Sequence, residues 1–193
     1  MNLIFEGIFY KHFGVFLLME NFLLLKRTPA LEERSQTLGF SRALFAGAEF
    51  IVINSLHKRE VLQSIVHAKQ RKQRTIYRAT TEEMLRFVLE KTDSDMVYGQ
   101  EFIHAQDSLH FLRSGLDQIL CTIATQRQKT IAFSFHDILN SSHRAKLLGR
   151  IAFNIRLCKK YKVPMLFSTF AENESELRAA QDLQAFWRVL EQQ

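Results

Sequence analysis

Cysteine, proline and glycine are all scarce in this 193-residue chain, which has two, two and seven of them. With only two prolines and 47% hydrophobic residues, the chain can bury a sizeable core, and one domain is the simplest count. Cys121 and Cys158 lie far apart and form neither a C-x-x-C pair nor a zinc spacing, so they read as reduced, core-filling thiols of a cytosolic protein. None of the seven histidines forms an H-x-H pair, and no strand end offers a recognisable set of metal ligands. His136-Asp137 comes nearest, but adjacent residues at a strand end point different ways. There is no G-x-S-x-G, no phosphate-cradling glycine loop, and no base identifiable for either cysteine. The expectation is a chain with no catalytic residue and no metal site of its own.

Long apolar runs are missing as well. In the phenylalanine-rich opening, Glu6, Lys11, His12 and Glu20 leave Phe13–Met19 as the longest such run of its first part, far short of the ~20 residues that span a bilayer. No small-residue cleavage site follows it. The reading is a cytoplasmic protein with no membrane partner, in which residues 1–20 are an extension without clear period.

Negative charge is missing where it matters most. Between Asp137 and Glu172 there is no acidic residue, while Arg144, Lys146, Arg150, Arg156, Lys159, Lys160 and Lys162 supply positive charge comparable to the whole-chain net of +6. A concentrated positive field on a folded scaffold attracts polyanions, so nucleic acid is the first partner to consider.

What is present is an alternation of short apolar runs with segments of helical period, the pattern of parallel strands joined by crossover helices. Strands are predicted at Phe22–Lys26, Phe50–Asn54, Thr75–Arg78, Asp95–Tyr98, Thr130–Phe135 and Val163–Ser168, with a short one at Ala43–Phe45. Val61, Leu62, Ile65 and Val66 share one helix face. The segment opening at Thr80 has Glu83 at capping-box spacing and an apolar stripe of Met84, Leu85, Val88 and Leu89. A long helix from near Ser142 carries Leu147, Leu148, Ile151, Ala152, Ile155 and Cys158 on its packing side, which leaves Arg150, Arg156 and Lys160 nearer the other. Six such units and the short strand, with too little chain from Gly39 to Phe50 for a further helix, suit a compact, partly irregular (β/α) TIM-like barrel, a single α/β domain over 1–193.

Five blocks in order carry a family resemblance: Gly115-Leu-Asp-Gln-Ile-Leu, Ile131-Ala-Phe-Ser-Phe, Arg144 leading a long helix to Lys160-Tyr-Lys-Val, Phe167-Ser-Thr-Phe-Ala171, and Arg178 followed by Asp182-Leu183. The chain resembles the archaeal ribonuclease P protein component 3 family over about 70 residues, with looser similarity through Ile76-Tyr77, Arg86 and Glu90-Lys91. The resemblance implies a barrel related to metal-dependent phosphoesterases. It further implies an RNA-binding subunit of an endoribonuclease, a tRNA-processing hydrolase whose RNA supplies the chemistry that removes the 5′ leader from precursor tRNA. Component 2 and the ribonuclease P RNA would be its partners, with Mg²⁺ on the RNA and no cofactor on this chain. By the family's pattern the RNA-facing positions fall on Arg86, Arg127, Lys160 and Arg178, with His136 where relatives often have arginine and Arg144 opening the long helix.

Gln118 departs from the histidine common in relatives, Ala179-Ala180-Gln181 replaces the usual glycine or proline, and the loop from Gln100 to Ser114 is longer than the family's. Arg178 close to Glu174 and Glu176, and Arg86 among Glu82, Glu83 and Glu90, also admit an ordinary ion-pair reading. A cluster of Lys69, Arg71, Lys72 and Arg74 ends a helix, where the dipole alone favours cations. The alternative function is a stand-alone metal-dependent phosphoesterase-like barrel acting on a phosphorylated substrate.

Overall fold

In the computed structural model, residues 20–110 and 112–192 are described. The expected N-terminal extension therefore lies outside the described residues except for Glu20.

Strands and helices follow in the order β1 (Glu20–Leu23), α1 (Pro29–Thr37), β2 (Arg42–Phe45), β3 (Phe50–Ile53), α2 (Lys58–Gln70), β4 (Arg74–Arg78), α3 (Glu82–Lys91), β5 (Met96–Tyr98), α4 (Gln118–Gln126), β6 (Thr130–Ser134), α5 (Phe135–Asn140), α6 (Arg144–Tyr161), β7 (Met165–Ser168) and α7 (Ala180–Glu191). Local chemistry sets the starts: Thr28, Thr81, Asp117 and Ser134 each accept a backbone N–H with the side chain, and Pro29 occupies the first turn of α1. The sequence places all seven strands, to within a few residues at their ends. It extends β6 to Phe135, whereas Ser134 caps α5 and turns the chain into a helix there.

All pairings are parallel, in two sheets: β1-β2, and β3-β4-β5-β6-β7. Single bridges, Leu23 to Ala171 and Ala46 to Phe50, join their edges in place of ladders. The reason at the second junction is the connection itself. A parallel pair needs a crossover of a dozen or more residues, and only residues 46–49 separate β2 from β3. At the first junction side chains stand in for the ladder: Ser168 Oγ accepts the Phe22 N–H at 2.8 Å and donates to Asn21 Oδ1 at 3.1 Å.

The period-2 alternation of the strands sorts the core into two layers. Phe22, Leu44, Phe50, Ile76, Met96, Tyr98, Ala132 and Leu166, drawn from all seven strands, form one cluster with Phe170 and with no helical residue. Ile53, Tyr77, Val97, Ile131, Phe133, Met165 and Phe167 point the other way, into a larger cluster built with the helices. Leu147, Ile151, Ile155 and Cys158 of α6 fill that outer layer, as their spacing predicts.

Arg150 is a correction to the helical-face reading. The residue is 4% exposed, and its guanidinium donates to Asp107 Oδ1 and to the carbonyls of Glu101 and His104 at 2.6–2.9 Å. Lys146 and Lys159 are likewise engaged, by Asp107 at 3.7 Å and Glu191 at 3.3 Å. The positive run of α6 is thus partly consumed within the fold.

Candidate nucleic-acid interface

The six basic positions expected to face RNA fall in three places. At the C-terminal ends of β4–β7, where parallel α/β folds carry their sites, Arg78 reaches Asp137 at 3.5 Å and lies 5.7 Å from the Tyr98 ring centre. Burial raises the Asp137 carboxyl, against the pull of Arg78, and pushes the Tyr98 hydroxyl up to about 12. Sequence reading did not single out Arg78; its place as the last residue of a strand was the available signal.

Beside that pair, His136 Nδ1 is 2.7 Å from Glu176 Oε2, and Asn140 donates to Glu176 Oε1 at 3.0 Å. Burial raises Glu176, but hydrogen bonds from His136, the Glu172 N–H and Asn140 outweigh it and hold the carboxyl at about 2. Arg144 donates to the carbonyls of Ile138 and Leu139 at 3.0 and 2.6 Å, closing the C-terminal end of α5. Arg178 donates to the carbonyls of Ser175 and Leu177 and lies 5.8 Å from the Phe135 ring centre. Its acidic neighbours go elsewhere: Glu174 pairs with Arg34 and Glu176 with His136. Internal partners therefore hold His136, Arg144 and Arg178.

Arg86 and Lys160 meet in a second place, a groove of about 890 Å³ between α3, α4 and α6, closed on one side by Leu112–Leu116. Arg86 makes a long contact to Glu90 at 3.4 Å, and Lys160 Nζ lies 5.5 Å from the Tyr161 ring centre. Gly115 makes this wall: its φ is +85°, and a Cβ there would sit 2.0 Å from the Gln100 carbonyl oxygen.

Arg127 occupies the third place, at the N-terminal ends of the strands. It ends α4 and lines a pocket of about 430 Å³ with Lys69, Arg74 and Lys129. Lys129 is buried, donating to the carbonyls of Thr92 and Ser94, and burial lowers its pKa. Lys69 pairs with Asp93 at 3.0 Å, and Arg74 with Glu20 at 2.6 Å. The exposed Arg127 has no such ion-pair partner among the described residues.

Among the described residues no three His, Cys, Asp or Glu side chains are grouped to hold a metal ion, and no helix is long and apolar enough to cross a membrane. Cys121 and Cys158, distant in sequence, are both buried, on α4 and α6.

No family model matches the chain. Ribonuclease P protein component 3 of Methanocaldococcus jannaschii is 35% identical over 79 residues, 40% of this chain and 34% of that protein. The protein of the same name from Methanococcus maripaludis strain C5 is 31% identical over 107 residues, 54% of this chain and 43% of its own length. The chain thus spans less than half the length of these curated relatives. Among solved structures, a chain of a cryo-EM structure of archaeal ribonuclease P with mature tRNA superposes with a TM-score of 0.64 over 89% of this chain and 72% of that one, at 19% identity. Over part of its length the chain is therefore similar to archaeal ribonuclease P protein component 3, and it shares the mixed α/β fold of a chain in that ribonucleoprotein.

Proposed function

We propose that this chain is a protein subunit of ribonuclease P, binding RNA and lending its surface to a catalytic RNA that removes the 5′ leader from precursor tRNA. The observation that carries the reading is twofold: sequence identity of 31–35% with component 3 proteins over 40–54% of this chain, and a fold shared with an archaeal ribonuclease P chain over 89% of it. In this reading the protein is cytoplasmic, pairs with component 2, and leaves Mg²⁺ to the RNA. The two sheets are read as one irregular barrel closed by single bridges, a reading supported by the core cluster drawn from all seven strands.

Geometry ranks the basic positions. Arg127, exposed and open, is the favoured phosphate contact, because a guanidinium offers a planar fork of donors and each neutralised phosphate releases counterions. Arg144, Arg178 and His136 shape the surface near the strand ends, since their polar atoms already serve the fold. Arg86 and Lys160 belong to the groove.

The test is reconstitution. The chain, added with component 2 to ribonuclease P RNA, should raise cleavage of precursor tRNA, and alone it should cleave nothing. Turnover by the purified chain that is abolished by chelation would replace this reading with a barrel phosphoesterase.

A further inference from the structure

The groove between α3, α4 and α6 is lined by chemistry that differs from a phosphate track. Phe153, Leu157, Lys160 and Tyr161 share one face of α6, and Leu112 and Ile119, 40% and 51% exposed, add aliphatic surface. Exposed apolar residues gathered in one concavity mark interaction sites, whereas single ones need no explanation.

The acidic groups on the rim are already engaged inside the chain. Glu82 is 2.7 Å from His104, Glu83 is 2.6 Å from Lys58, and Asp117 accepts the Leu120 N–H at 2.7 Å. The cations are not balanced in the same way. Arg86 has only its long contact to Glu90, and neither Arg113 nor Lys160 has an ion-pair partner among the described residues. What the groove presents to a visitor is an apolar floor, mostly aliphatic with Phe153 and Tyr161 among it, and three positive groups around it.

We propose that this groove is a docking site for a protein segment, an amphipathic helix of a partner whose apolar stripe is flanked by Asp or Glu. Apolar residues at helical spacing would cover Leu112, Ile119, Phe153 and Leu157, while flanking carboxylates would meet Arg86, Arg113 and Lys160. Phe153 to Tyr161 extends about 12 Å along α6, room for about two turns of a bound helix. RNA fits less well, because Leu112, Leu116, Ile119, Leu120 and Leu157 outnumber the aromatic Phe153 and Tyr161 along the groove, which leaves bases little stacking platform. The proposal stands on this geometry and does not depend on the ribonuclease P reading.

The experiment uses the full chain and a fluorescent peptide of roughly 14 residues, about 21 Å of helix, with Leu at i, i+3, i+4 and i+7 and Glu beside the stripe. Anisotropy should show saturable binding. Ile119→Asp, which puts a carboxylate on the floor, and Lys160→Glu should each weaken it by at least about fivefold while thermal unfolding stays unchanged, since both residues are exposed. A peptide carrying Lys in place of Glu should recover affinity for the Lys160→Glu variant. Absence of saturable binding, or binding indifferent to both substitutions, overturns the proposal. So does an oligouridylate of similar length that binds with those same sensitivities while the acidic peptide fails to displace it.

Discussion

Arg150 and Asp107 are joined through two donors on one oxygen: Nε and one terminal nitrogen of the buried guanidinium reach Asp107 Oδ1 at 2.9 and 2.7 Å. The other terminal nitrogen serves the carbonyls of Glu101 and His104, so one side chain of α6 fixes the segment that follows β5.

Replacing Arg150 with alanine leaves two carbonyls without their donor and Asp107 with only the Arg113 N–H and the longer Lys146 contact. The expected loss is about 2–4 kcal/mol, from two carbonyls left without a donor and a half-buried ion pair removed. Urea unfolding of the Arg150→Ala variant measures it. A loss below about 1 kcal/mol, the scale of an exposed pair, would show that this contact does not secure the segment.

Two glutamates should give opposite pH signatures. Glu176 sits at about 2, below its value in the unfolded chain, so its contribution is present above pH 4.5 and fades as pH falls toward 2. Burial, only partly offset by hydrogen bonds from Asn154 and Gln100, pushes Glu101 up to about 8. The unfolded chain ionises this group first, so stability falls as pH rises from 4.5 to 8. Glu176→Gln should therefore be less stable than the parent at pH 7, with the gap closing in acid. Glu101→Gln should be more stable at pH 8, by about 1 kcal/mol or more, with its gap also closing near pH 4. Melting curves across pH decide, and a Glu101→Gln variant less stable than the parent at pH 8 would refute the burial argument.

Gly115 and Gly47 share a left-handed backbone but not their surroundings. Nothing lies within 4 Å of a Cβ built on Gly47, whereas one on Gly115 collides with Gln100 backbone. Gly47→Ala should cost about 1–2 kcal/mol from conformation alone. Gly115→Ala should cost at least about 3 kcal/mol and disturb the groove wall. Equal melting temperatures for the two variants would contradict the close approach.

Arg127 and Arg144 divide by what they hold. Arg127→Ala should lower the salt slope of RNA binding by about 1 and leave stability unchanged. Arg144→Ala should cost about 1–2 kcal/mol of stability through the freed carbonyls of Ile138 and Leu139. A filter-binding series in salt, paired with urea unfolding, checks both halves.

Local chemistry determined what sequence could determine. Apolar runs such as Thr130–Ser134 and the stripe of Met84, Leu85, Val88 and Leu89 encode strand and helix through periods of 2 and 3.6, and the five blocks encode ancestry. Which charges remain open to a partner was decided only by tertiary structure, because ion pairing depends on residues distant in the chain. Arg150 reads as a surface cation until Asp107, 43 positions away, comes to meet it. Arg86 and Lys160 lie on different helices, and packing of α4 between α3 and α6 brings them into one groove. Sequence set the sign of the field, and the fold chose where it reaches solvent.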